Sequence, residues 1–240
     1  MAKVTEDGLS GLVGTVVMYT MNGKKYVRSR PVRRKGKKGE KLHAVLNIFG
    51  TVSTYGSAMT RELREHLLFK FKLRTFTHLR GWMRNQYAVN NELPVWELAA
   101  RNNSMCQLND AADLRDMLEA QITVTDRGNG TIAINIPSIN PLKNIKAPVR
   151  TTKVNLKMLA TCSPFKGSQY ISGFAGENFS FNYSNSEITF PEFILDTKGK
   201  LSDIAIVVIA MEFETTNAEG KFNTEPKWLP AGVIAMGRLH

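Results

Sequence analysis

The period of apolar and polar positions changes three times along the chain. Residues 13–20 form a β-branched and aromatic run. Asn22-Gly23 follows, and both of these residues tolerate positive φ, the signature of a two-residue hairpin turn. Residues 24–30 then alternate, with Tyr26 and Arg28 on one face and Val27 on the other. The pattern predicts a β-hairpin of 13–20 and 24–30, closed by Pro31, which cannot donate to a ladder. Gly8, Gly11 and Gly14 read as a backbone that bends or approaches something closely.

From Leu42 the spacing becomes helical. Leu42, Val45, Leu46, Phe49, Val52, Met59, Leu63 and Leu67 recur mostly at three or four. Gly50 and Gly56 predict a bend or break within this helix. A second helix is expected over 75–90, with Thr75 as N-cap and Phe76, Leu79, Met83 and Tyr87 as its apolar stripe. Shorter helices are expected at 94–101 and, capped by Asn109, at 110–120. Beyond 121 the chain reads as β. Candidate strands are 121–125, 131–136, 153–161, 168–174, 179–183, 186–195, 203–214 and 230–238, the first two flanking Asp-Arg-Gly-Asn-Gly.

The expected fold is therefore α+β. It comprises a glycine-rich hairpin and basic arm (1–41), a helical middle (42–120) and a C-terminal antiparallel β-sandwich of immunoglobulin or fibronectin type (121–240).

The hairpin segment carries Gly8, Ser10, Gly11, Val13, Gly14, Val16, Val17, Tyr19, Gly23, Lys24, Arg28, Ser29 and Pro31. With these residues it resembles a group of uncharacterised proteins found mainly in Bacteroidota and their mobile elements. Their signature is Gly-x-Ser-Gly-x-Val-Gly-x-Val-Val-x-Tyr, then Gly-Lys and Arg-Ser-x-Pro. The resemblance implies a lineage, a helical stretch and a β-rich C-terminal half; it implies no activity. The tract from Val32 to Lys41 is more basic than the pattern of that group.

Charge sharpens the picture. The 240 residues hold 32 Lys and Arg against 21 Asp and Glu, and residues 1–90 account for 18 and 5 of these. The excess thus sits on the front third. Lys24, Lys25, Arg28, Arg30, Arg33, Arg34, Lys35, Lys37, Lys38 and Lys41 place ten positive charges in 18 residues. Arg61, Arg64, Lys70, Lys72, Arg74, Arg80 and Arg84 extend the field, with Tyr26, Trp82 and Tyr87 interleaved. Such density suits phosphate backbones through counterion release, and the aromatics suit stacked bases.

Several chemistries lack their residues. Gly14-Thr15 leads into a strand, so the early glycines are not a phosphate loop. His43, His66, His78 and His240 have no zinc-helix spacing, and Cys106 and Cys162 stand alone, so no metal or cofactor is expected. Gly-x-Ser-x-Gly is absent, and Asp110, Asp113, Asp116 and Glu119 read as a solvated helix face. No catalytic residue and no small-molecule substrate is expected. The longest apolar run, 204–211, is a buried strand rather than a membrane span, and no secretory signal opens the chain. A cytoplasmic setting with reduced thiols is expected.

Two functions remain. The Val16–Val17–Met18–Tyr19 run is apolar on both faces and asks for neighbours, which another chain could supply by strand addition. Val13, Val16, Val17, Tyr19, Tyr26 and Val27 are then the oligomer interface of a non-enzymatic assembly protein, such as a shell, tail, ring or filament component. The alternative is a DNA- or RNA-binding protein without sequence preference that uses the 24–41 tract.

Overall fold

The structure, a computed structural model, describes residues 2–5, 8–13, 15–21, 24–29, 40–90, 105–164, 171–201, 203–216 and 221–240. The chain divides into two compact units, Met1–His43 and Ala44–His240.

The first unit is a four-stranded antiparallel sheet in the order β1 (Ala2–Thr5), β2 (Gly8–Val13), β3 (Val16–Met21), β4 (Lys24–Ser29). Met21 pairs with Lys24, as the Asn-Gly signal predicts. The expected strand 13–20 is instead divided. Val13 ends β2 and pairs with Val16, which opens β3. The glycine-bearing 8–13 segment is a strand rather than a bend, because β1 and β3 supply ladder partners on both of its edges. The linker expected to reach Lys41 gives way to helix at Glu40.

The second unit is mixed α and β with antiparallel sheets. Helix α1 (Glu40–Leu63) runs unbroken through Gly50 and Gly56. Each glycine costs about 1 kcal/mol in a helix. Val52, Tyr55, Met59 and Leu63 are all essentially buried, and that burial outweighs the cost. Tyr55, absent from the predicted stripe, donates its hydroxyl proton to Ile204 O at 2.9 Å and to Thr161 O at 3.2 Å. Burial pushes its phenol well above the usual tyrosine range. Helix α2 (Leu73–Asn90) starts two residues before Thr75, which is buried inside the first turn rather than capping it. The expected helix at 94–101 lies outside the described residues.

Only Leu114–Met117 (α3) is helical within 110–120, and Asp113 is its N-cap, accepting from Arg115 N. Cys106–Gln107 (β5) pairs with the last strand. The strands that follow are β6 (Thr123–Gly128), β7 (Thr131–Asn135), β8 (Thr151–Ser163), β9 (Gly173–Asn182), β10 (Phe193–Asp196), β11 (Ile204–Thr215) and β12 (Ala231–Arg238). A one-turn helix, α4 (Pro141–Asn144), joins β7 to β8. β9 spans the end of one expected strand, 168–174, whose residues 168–170 lie outside the described residues, and most of the next, 179–183; 186–195 contracts to β10 with an isolated bridge at Ile188.

These strands form a three-stranded sheet, β10-β7-β6, and a five-stranded sheet, β5-β12-β11-β8-β9. Ile132, Ile134, Phe193 and Leu195 of the first share a core with Val154, Leu156, Met158, Val207 and Ile209 of the second. The other side of the five-stranded sheet carries Leu159, Ile206, Val208 and Val233, which pack under Tyr55, Met59, Leu79 and Met83 of the helices. Three layers result, and the five-stranded sheet is covered on both sides. This is why β11 is apolar at consecutive positions and buried from Ile204 to Phe213.

Candidate interaction surfaces

The N-terminal sheet brings together part of the predicted set. Val16, Val17, Met18 and Tyr19 are half-buried, and every residue of β4 is exposed, Val27 to 65%. β3 has both edges paired within its own chain, to β2 and to β4. The neighbours expected for β3 from another chain by strand addition are therefore intramolecular.

Strand alternation divides these faces. Val16 and Met18 of β3 lie on the side of Val27, and in register the backbone positions of Val4, Leu9 and Val13 fall on the same side. On the opposite side Tyr19 pairs with Tyr26, their rings stacked at 5.6 Å and 20°. The Arg28 guanidinium lies 5.5 Å from the Tyr19 ring centroid, a cation–π distance. Lys24 and Arg28 are thus on the aromatic side, and Lys25 is on the side of Val27. Arg30, Arg33, Arg34, Lys35, Lys37 and Lys38 lie outside the described residues, and Lys41 is in the first turn of α1.

The helical cations separate into distinct environments. The Arg80 guanidinium covers the Phe76 ring at 4.4 Å and donates to Ser53 Oγ at 3.4 Å, which ties α2 to α1. Arg84 is exposed. Trp82 packs partly buried against the helix–sheet core. Arg61, Arg64 and Lys72 line one cleft of about 430 Å³ where α1 ends and α2 begins.

A polar row, buried at Asn155 and Glu212 and exposed at Ser180, has no counterpart in the predicted set. Ser180 of β9, Asn155 of β8 and Glu212 of β11 lie in register across three strands. Ser180 Oγ donates to Asn155 Oδ1 at 2.9 Å, and Asn155 Nδ2 donates to Glu212 Oε2 at 3.0 Å. Glu212 Oε1 receives no well-aligned hydrogen bond. Its compensation is Lys157 Nζ at 2.5 Å, which also donates to His66 O at 2.9 Å. This row ties the corner after α1 to the centre of the sheet. Its signal was Glu212, set directly after the apolar run from Ile204 to Met211.

His66 stacks on Phe174, with ring centroids 4.3 Å apart. Cys106 and Cys162 are both buried and free, and burial pushes each thiol up to about 12. Neither is a thiolate nucleophile near neutral pH. The acidic face expected over 110–120 is not one helix face. Asp113 instead holds Arg115 at 2.6 Å, and that guanidinium keeps its carboxyl below the usual range. Among the described residues no group of three His, Cys, Asp or Glu side chains could hold a metal, and no helix is long and apolar enough to cross a membrane. No protein-family model matches the chain, and no curated protein matches it.

Proposed function

We propose that this chain is a non-enzymatic assembly protein whose copies associate through the N-terminal sheet. One observation carries the reading. The first unit pairs its four strands into one sheet, with Val27 65% exposed and Val16, Val17, Met18 and Tyr19 half-buried. A sheet buries its apolar side against a second layer, and a lone layer is marginal in water. The occupant we assign is the same side of a second copy. Exposed Lys24, Lys25 and Arg28 guard the β4 edge against pairing with another copy of itself, whereas face-to-face packing turns Lys24 and Arg28 outward.

The size of the surface sets the strength. Four strands at about 4.8 Å and six residues at about 3.4 Å give a face of about 400 Å² per copy. Two copies bury about 800 Å², below the roughly 1,200 Å² of a standard stable interface. One contact is therefore weak, and a durable particle needs several acting together. A shell, tail, ring or filament component assembled in the cytoplasm meets that requirement, and two buried free thiols agree with the compartment. The Bacteroidota mobile-element lineage and an immunoglobulin- or fibronectin-like sandwich, with an added helical layer, belong to the same proposal.

A specific feature favours a second role. The Tyr19–Tyr26 stack flanked by Arg28 and Lys24 offers π-faces and cations on the side that packing leaves free, which suits single-stranded DNA or RNA. Both roles coexist in a shell whose basic side meets a packaged genome.

Sedimentation velocity over a concentration series tests the assembly. Association is expected to strengthen with concentration, and Val27→Asp is expected to weaken it at least about tenfold. A lone monomer throughout the series, or an unaffected Val27→Asp assembly, refutes it.

A further inference from the structure

We propose that the cleft between the end of α1 and the start of α2 binds a phosphate ester carried on a planar or apolar group, the chemistry of a nucleotide. The inference does not rest on the assembly reading. The cleft, about 430 Å³, falls in the size range of small-molecule pockets. Arg61 enters it from the last turn of α1, Arg64 from the turn just beyond that helix, and Lys72 from the residue before α2. Among the described residues no Asp or Glu lines it. Arg64 and Lys72 form no ion pair among the described residues.

A purely structural role accounts for part of this cluster only. Arg61 lies in the last turn of α1, where a cation suits the negative end of the helix. Lys72 is at the opposite kind of end. Its carbonyl accepts from Phe76 N at 3.2 Å, so it stands at the start of an 18-residue helix whose first turn has no acidic residue. Lys70 and Arg74 add positive charge around the same end, and both are exposed. Cations beside a positive helix end repel it and one another, and an anion between Arg64 and Lys72 reverses each of those signs.

The rest of the lining selects among anions. Phe71 and Phe76 form an apolar wall, and Leu73 beside them is 80% exposed. Inorganic phosphate leaves that wall in water. A base or other planar group covers it, because an aromatic ring stacks on any base. The Thr60 hydroxyl is already committed to Gly56 O at 2.9 Å, so Ser57, exposed on the same wall, is the hydroxyl free to meet the ester. A free nucleotide and a nucleotide within single-stranded nucleic acid present this same chemistry.

Calorimetric titration of the full chain at low salt separates the cases. AMP is expected to bind with a Kd of about 1 mM or tighter, and adenosine and inorganic phosphate each at least about tenfold more weakly. The Arg64→Gln/Lys72→Gln variant is expected to lose about tenfold or more in affinity with its thermal midpoint unchanged or raised, since the removed charges repel. Tight AMP binding assigns the site to a free nucleotide. A short oligothymidylate that binds far more tightly than AMP, and is lost in the variant, assigns it to nucleic acid. Three results overturn the proposal. One is no binding of either ligand, another is undiminished binding to the variant, and the third is phosphate binding as tightly as AMP.

Discussion

Replacing Lys157 with Met leaves a carboxylate stranded inside the protein. The Glu212 side chain is 3% exposed, and Lys157 Nζ at 2.5 Å is the compensation for its Oε1. Asn155 still donates to Oε2 at 3.0 Å, so half of the carboxylate stays satisfied. Breaking a buried ion pair by removing one partner costs about 3–5 kcal/mol. The Lys157 side chain is itself 16% exposed, which admits some water and places the loss near the lower bound, about 3 kcal/mol. The bond to His66 O is lost as well, adding about 1 kcal/mol. With a urea m-value of about 2 kcal/mol/M, the midpoint falls by roughly 2 M. Lys157→Met/Glu212→Leu removes both charges and is expected to recover most of the loss, giving a coupling of about 2 kcal/mol or more. Urea unfolding of the wild type, both single variants and the double variant reads this directly. A Lys157→Met loss below about 1 kcal/mol, or a double-variant loss equal to the sum of the singles, refutes the reasoning.

Three further outcomes follow from local geometry. Gly173→Ala places a methyl at 2.0 Å from Thr197 O, so the entry of β9 must shift. A loss of about 2–3 kcal/mol is expected by thermal or urea unfolding, and a loss of about zero contradicts the close approach. The buried thiols, pushed up to about 12, are expected to ignore a disulfide reagent at pH 8, close to the roughly 8.5 of a free thiol. Both should react once the chain is unfolded, and fast reaction of either in the native protein contradicts their burial. Arg115 depresses the Asp113 carboxyl, so the stability it adds is complete above about pH 5 and fades as pH falls through its lowered value. The pair is partly exposed, so Asp113→Asn should cost less than about 1 kcal/mol at neutral pH and nothing at strongly acidic pH. A constant difference across that range contradicts the assignment.

The sequence was most legible where one local signal decided the outcome. Asn22-Gly23 marked the β3–β4 hairpin, and the apolar run from Ile204 marked β11. It was least legible where a distant partner decided. Gly8 and Gly11 lower strand propensity, and only their pairing with β1 and β3 makes them strand. Asn155 and Lys157 alternate with Val154, Leu156 and Met158, the pattern of a strand with one solvated face. They face the helices instead, where their charge and amide are matched by Glu212 and by the His66 carbonyl. Gly50 and Gly56 failed to break α1 because the sheet beneath it holds Tyr55, Met59 and Leu63. Of the predicted surface, Tyr19, Tyr26 and Arg28 are brought together. The α1–α2 cleft was out of reach, because Arg64 and Lys72 converge only through the packing of two helices on one sheet.

The proposed assembly completes the N-terminal sheet with another copy of this chain. Native mass spectrometry of the full chain across micromolar concentrations reads this out. Species at multiples of 26.8 kDa are expected, growing with concentration and diminishing in Val27→Asp. A lone species at 26.8 kDa at every concentration contradicts it.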